Sequence, residues 1–166
     1  MNQAFFIAVA GIILLAVQSS VIGDVAPSEL RPDLTLILVA WSTGWIRFPV
    51  GICFSFSYGL CIDLMSGAPL GLMGILYLSI FVFLGYIESY LQVTGVARNY
   101  ISVFFASFII FSAVSLARAF LGDTDIYGYQ FYWVVMKSLS TATFSWLVFR
   151  LLNLTWKEYS KIVGTV

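Results

Sequence analysis

The sequence predicts an all-α integral membrane protein: one domain, a bundle of six transmembrane helices, with no soluble domain. Three observations carry this expectation. The chain of 166 residues is 61% hydrophobic and only 10% charged, whereas a soluble domain holds about 45–50% apolar and about 25% charged residues. Eight basic and eight acidic side chains cannot coat a water-facing surface of this size, so the bilayer is the natural solvent for the excess apolar area. Those charges also punctuate the chain, separating long uncharged runs by connections too short to fold alone.

The first run, residues 4–22, carries no charge and is long enough to span, since about 20 apolar residues cross the hydrocarbon. No Lys or Arg precedes it and no Ala-x-Ala site follows, so it reads as a retained helix rather than a signal peptide. A polar link with Asp24, Pro27, Glu29 and Arg31 leads to a second segment over 32–46. Pro32 suits the first helical position, where its missing N–H has no partner anyway. Arg47, Phe48 and Pro49 end that segment, and a third covers 49–64. Both are short for about 30 Å of hydrocarbon, and a re-entrant pair is the competing reading. Further spans follow at 69–90, 100–121 and 130–153. There is no internal repeat and no low-complexity stretch, and the remaining tail is too short to fold alone.

Orientation follows from Lys and Arg in the short loops. Six spans put both termini on one side, together with Arg47, Arg98, Arg150, Lys157 and Lys161. The opposite side holds Arg31, with Arg118 and Lys137 inside helices. The excess places both termini in the cytoplasm. Trp41, Trp45, Tyr86, Tyr90, Tyr100 and Trp156 then fall toward the inner interface, and Tyr127, Tyr129, Tyr132 and Trp133 toward the outer one.

Several function classes are excluded or disfavoured. A net charge of zero offers no basic excess for nucleic acid. The absence of histidine removes His-based acid–base catalysis, His-containing triads and most zinc sites. Cys53 and Cys61 lie roughly 12 Å apart along one helix, too far for a disulfide, and read as membrane-core residues. No nucleophile–base–orienter set, phosphate loop or metal cluster is visible, so the chain reads as a non-enzyme without a cofactor.

The third segment carries the clearest pattern. Arg47, Gly51, Ser55, Gly59 and Asp63 recur every four residues and form one winding stripe. Small residues at this spacing let another helix approach closely, which drives association in lipid. Packing inside the bundle and an intermolecular face both fit. Asp63 sits at the wrong pole of its own helix, but free N–H groups at Leu70 and Gly71 could donate to its carboxylate as a capping partner. Gly67 suits the left-handed position after a helix end, and Pro69 the first turn of the next helix. A hairpin clamp is the reading this supports. Arg118 and Lys137 interrupt apolar helices at a cost of up to about 2.5–3.5 kcal/mol each near a helix centre. With Arg31, Asp33 and Asp63 at the same level, they suggest either a buried polar cluster or an anionic-ligand site. Snorkelling to headgroups is the simpler alternative.

Two runs carry a family resemblance: Arg31-Pro32-Asp33-Leu34, and the stretch from Gly59 through Asp63-Leu64-Met65-Ser66-Gly67-Ala68-Pro69-Leu70 to Gly71. They resemble the "R-P-D/N" opening and the "G-x-x-x-D-L-x-S-G-x-x-L-G" hairpin of the rod-shape-determining MreD family, over residues 31–90; elsewhere the likeness is one of hydropathy. Arg31, Pro32, Asp33, Gly59, Asp63, Gly67, Leu70 and Gly71 carry the pattern, while the basic residues that many members place before the first helix are missing. The resemblance implies a non-enzymatic, multi-pass scaffold subunit of the bacterial inner membrane, supporting cell shape and peptidoglycan synthesis. It would bind the membrane anchor of MreC and through it act on RodA and penicillin-binding protein 2, in register with MreB, beside membrane lipids and with a homo-oligomer as an option. The family is also similar in fold to the substrate-binding S components of energy-coupling-factor vitamin transporters. A small-molecule-binding subunit is therefore the second hypothesis, but it needs convergent polar groups and a long outer loop. Only the loops at 23–31 and 122–129 could serve as one.

Overall fold

The computed structural model describes residues 2–25, 31–66, 69–90, 96–120 and 129–163, and within them the side chains of 3–20, 31–66, 69–87, 100–117 and 132–161. These form six α-helices: α1 (Asn2–Val25), α2 (Leu34–Ser42), α3 (Phe48–Ser66), α4 (Leu72–Tyr90), α5 (Val96–Phe120) and α6 (Tyr129–Val163). Stretches long and apolar enough to cross a membrane lie at Gln3–Ser20, Phe48–Ser66 and Tyr100–Ala117, and Leu72–Ile87 is a shorter apolar helix. Ile12, Ile75, Phe105 and Leu139 are among many large apolar side chains left exposed, as lipid-facing surfaces require.

The second segment differs most from its sequence reading. Where hydropathy predicts a span over 32–46, the helix covers Leu34–Ser42. Its nine residues rise about 14 Å, under half of about 30 Å of hydrocarbon. All nine are buried, and α2 packs against each of the other five helices. A helix apolar all round has no face suited to water and belongs in the core. Its ends have local causes. Pro32 precedes the N-cap Asp33 and so is not a helical residue. At the other end, the Ser42 and Thr43 hydroxyls donate to the Val39 and Ala40 carbonyls, each at 2.8 Å. The Trp45 and Ile46 N–H groups both close onto the Ser42 carbonyl, turning the chain into α3.

Around α2 stand α1 and two hairpins, α3–α4 and α5–α6. Successive helices alternate in direction. Gln18 of α1 meets the start of α2, and Phe6 meets Trp41 near its end. In α3–α4, Gly51 lies against Phe81 and Gly59 against Gly74. In α5–α6, Lys137 covers Phe111, and Phe104 shares a groove with Ala142 and Thr143. The core thus gathers Ile7 of α1, all of α2, Tyr77 and Phe81 of α4, and Val103 and Ile110 of α5.

The last helix is longer than hydropathy alone defines. The expected span stopped at 153, but α6 has 35 residues and a length of roughly 52 Å, so the tail continues the helix. At that end Phe6, Trp41, Trp45, Trp156 and Tyr159 form one aromatic cluster, with Trp41 Nε1 donating to Asn153 Oδ1 at 2.9 Å. Beyond it, Lys161 Nζ lies 2.7 Å from Glu158 and holds that exposed carboxyl below its usual value.

Candidate functional site

The start of a buried helix is an electrostatic problem, because its first four N–H groups lack intrahelical partners and none can reach water. Asp33 and Gln18 solve it for α2. Gln18 Oε1 of α1 accepts the N–H groups of Leu34 (3.0 Å) and Thr35 (3.3 Å), and the Thr35 hydroxyl (3.3 Å). Asp33, in an extended conformation at the N-cap, accepts the Leu36 N–H on Oδ1 at 3.0 Å. The Ile37 N–H makes the first main-chain bond, to the Asp33 carbonyl. Of the four free donors, only the Asp33 N–H then remains.

The same aspartate ties in two further helices. Tyr77 of α4, fully buried, donates its hydroxyl to Asp33 Oδ2. The Asp33 N–H donates to Thr141 Oγ1 of α6 at 3.3 Å, and the Thr141 hydroxyl passes its proton side to the Lys137 carbonyl at 2.9 Å. Lys137 lies one turn earlier, its ammonium 4.7 Å from the Phe111 ring centre, and its charge acts on Asp33. Four helices, α1, α2, α4 and α6, therefore meet at the start of α2.

Asp63 does the equivalent for α4. It is 1% exposed, and its carboxylate accepts the N–H groups of Gly71 (2.8 Å), Met73 (3.1 Å) and Gly74 (3.5 Å). Leu70 is not among these donors, and Pro69 lies ahead of α4, its carbonyl accepting the Leu72 N–H. The shift has a backbone cause: the chain turns at Gly71, whose φ is +97°, a region that L side chains avoid. The helix begins after that turn, so its free donors lie further along. Asp63 caps the helix that Gly71, without a side chain, cannot cap itself.

The small-residue stripe faces α4. Gly51, Ser55, Gly59 and Asp63 are buried, whereas Arg47 is exposed at the turn before α3. A Cβ on Gly59 would stand 2.5 Å from the Met73 carbonyl oxygen and 2.5 Å from Gly74 Cα. The two backbones touch there.

Of the residues singled out in the sequence, Asp33 and Lys137 converge, Asp63 serves the α3–α4 hairpin, and Arg31 is half-buried beside Pro32. Gly67, the side chain of Arg118 and most of the loops at 23–31 and 122–129 lie outside the described residues. Tyr77, Gln18 and Thr141 were missed. Gln18 had a signal, an amide inside an uncharged run, which lipid penalises without a partner. Thr141 belongs to a repeat, Ser138, Thr141 and Ser145, buried along α6; a tyrosine in an apolar helix gives no such signal. Among the described residues no group of three or more His, Cys, Asp or Glu could hold a metal. Comparison with known proteins finds no matching family model, no similar curated protein and no similar solved structure.

Proposed function

We propose that this protein is a non-enzymatic scaffold subunit of a bacterial inner membrane, resembling MreD, with both termini cytoplasmic. All six segments carry the chain across the bilayer in alternating directions, the short α2 doing so inside the ring of the other five. The partner is the membrane anchor of MreC, through which the subunit supports RodA, penicillin-binding protein 2 and MreB-guided wall synthesis. The observation that carries this reading is where the motif acids spend their oxygens. Asp33 and Asp63 cap helices inside the fold, and every buried side-chain nitrogen or oxygen among the described residues has a hydrogen-bond partner. Such acids set the shape of a scaffold; a ligand-collecting subunit instead aims several polar groups into a cavity.

The test is purification of the tagged protein from its native membrane with identification of co-purifying chains. The membrane anchor of an MreC-like periplasmic scaffold is the expected partner. Recovery of an ATPase-coupled transport module, or of a bound vitamin, overturns the scaffold reading in favour of an S component.

A further inference from the structure

An open groove runs between α1 and α3 on the side away from α4. Its apolar part encloses about 510 Å³, walled by Ala8 and Ile12 of α1 and by Cys53, Ser57 and Cys61 of α3. Tyr58 forms the floor. Its hydroxyl donates to the Ile7 carbonyl at 2.8 Å, and its ring occupies the space that a Cβ on Gly11 would need, 2.1 Å from the hydroxyl oxygen. The tyrosine therefore both ties and spaces the two helices. At the end nearest the start of α1 the groove opens into a second cavity of about 330 Å³, lined by Gln3, Ala4, Ile46 and Arg47. Val50 belongs to both.

We propose that this groove holds one anionic phospholipid of the adjacent leaflet. Its acyl chain lies along α3, and its phosphate sits between Arg47 and Gln3. Three features fit that occupant. From Val50 to Cys61 the wall rises about 17 Å, close to half of about 30 Å of hydrocarbon and so to one leaflet's depth. The wall is apolar and carries small side chains that leave room for a chain, while the polar groups gather at one mouth. The cation there is an arginine, whose fork of donors matches phosphate geometry, and Arg47 takes part in no ion pair with another described residue.

The native thiols of Cys53 and Cys61 report on occupancy, since both are exposed to the groove. The full chain, purified and delipidated in detergent, is given phosphatidylglycerol or phosphatidylcholine with identical acyl chains. Alkylation of the two thiols by N-ethylmaleimide and lipid retention in native mass spectrometry are then followed. Phosphatidylglycerol should slow alkylation of both thiols and be retained in preference. Arg47→Gln should reduce that preference about fivefold, the factor that about 1 kcal/mol for an interfacial cation amounts to, while Arg47→Lys keeps most of it. Arg47 is exposed, so thermal unfolding of both variants should match that of the parent. Equal retention of phosphatidylglycerol by the parent and Arg47→Gln overturns the proposal. Thiols protected in native membranes but fully reactive with added phosphatidylglycerol also overturn it, and assign the groove to a protein segment instead.

Discussion

Two aspartates govern this fold because each converts a buried helix terminus from a cost into a junction. Three backbone donors converge on Asp63. Asp63→Ala should therefore lower stability by on the order of 1–2 kcal/mol, the usual loss on removing a cap. Asp63→Asn keeps one acceptor oxygen and should fall between Ala and the parent in thermal unfolding in detergent. If Asn is as damaging as Ala, the negative charge rather than the hydrogen bonds holds the hairpin. At Asp33 the informative change is Tyr77→Phe. It removes one donor to a buried carboxylate and nothing else, and should cost about 1–3 kcal/mol. An unchanged midpoint for Tyr77→Phe would mean that Asp33 finds another donor. The clamp by Asp63 was legible in the sequence as a carboxylate at the wrong helix pole facing a Gly-Pro turn. The Asp33–Tyr77 contact was not, because its partners are 44 residues apart and nothing local links them.

At the scale of elements, the backbones of α3 and α4 touch at Gly59 and Gly74, and the four-residue stripe makes that possible. Gly59→Leu should destabilise by about 1–3 kcal/mol through overpacking, since the obstructing atoms at 2.5 Å are main chain and cannot swing aside. The stripe is spent on α4 inside the fold, so any loss of partner co-purification by Gly59→Leu should track the loss of folded protein. A variant that stays fully folded yet loses its partners would contradict this. The periodicity of the stripe is written in the sequence, but its destination is not. A row of small residues states that something comes close, and only the hairpin geometry says that α4 does.

For the whole molecule, alternating helix directions put both termini on one side, which a topology experiment can check. In a background lacking Cys53 and Cys61, cysteines introduced at Ser66 or Thr124 should be labelled from outside the cell. Those introduced at Gly95 or Thr165 should not. Labelling at Thr165 from outside would reverse the proposed orientation. Because α2 fills the core, its variants should behave as core variants. Leu36, fully buried, should lose about 2–5 kcal/mol on change to Ala, whereas Leu64, 71% exposed, should lose little.

Composition and hydropathy by themselves determined the solvent of this chain and its helical class, since 61% apolar residues broken by sparse charges admit few other solutions. They also set most helix positions to within a few residues, because charges and prolines mark the points at which an apolar run must stop. Tertiary structure alone decided the role of the second segment. A run such as Leu34–Ser42 reads as a short span, since hydropathy measures aversion to water and is blind to whether lipid or protein provides the shelter. Five surrounding helices provide it here. Gln18, Tyr77 and Thr141 then supply, from three other helices, the hydrogen bonds that a buried helix end cannot draw from water.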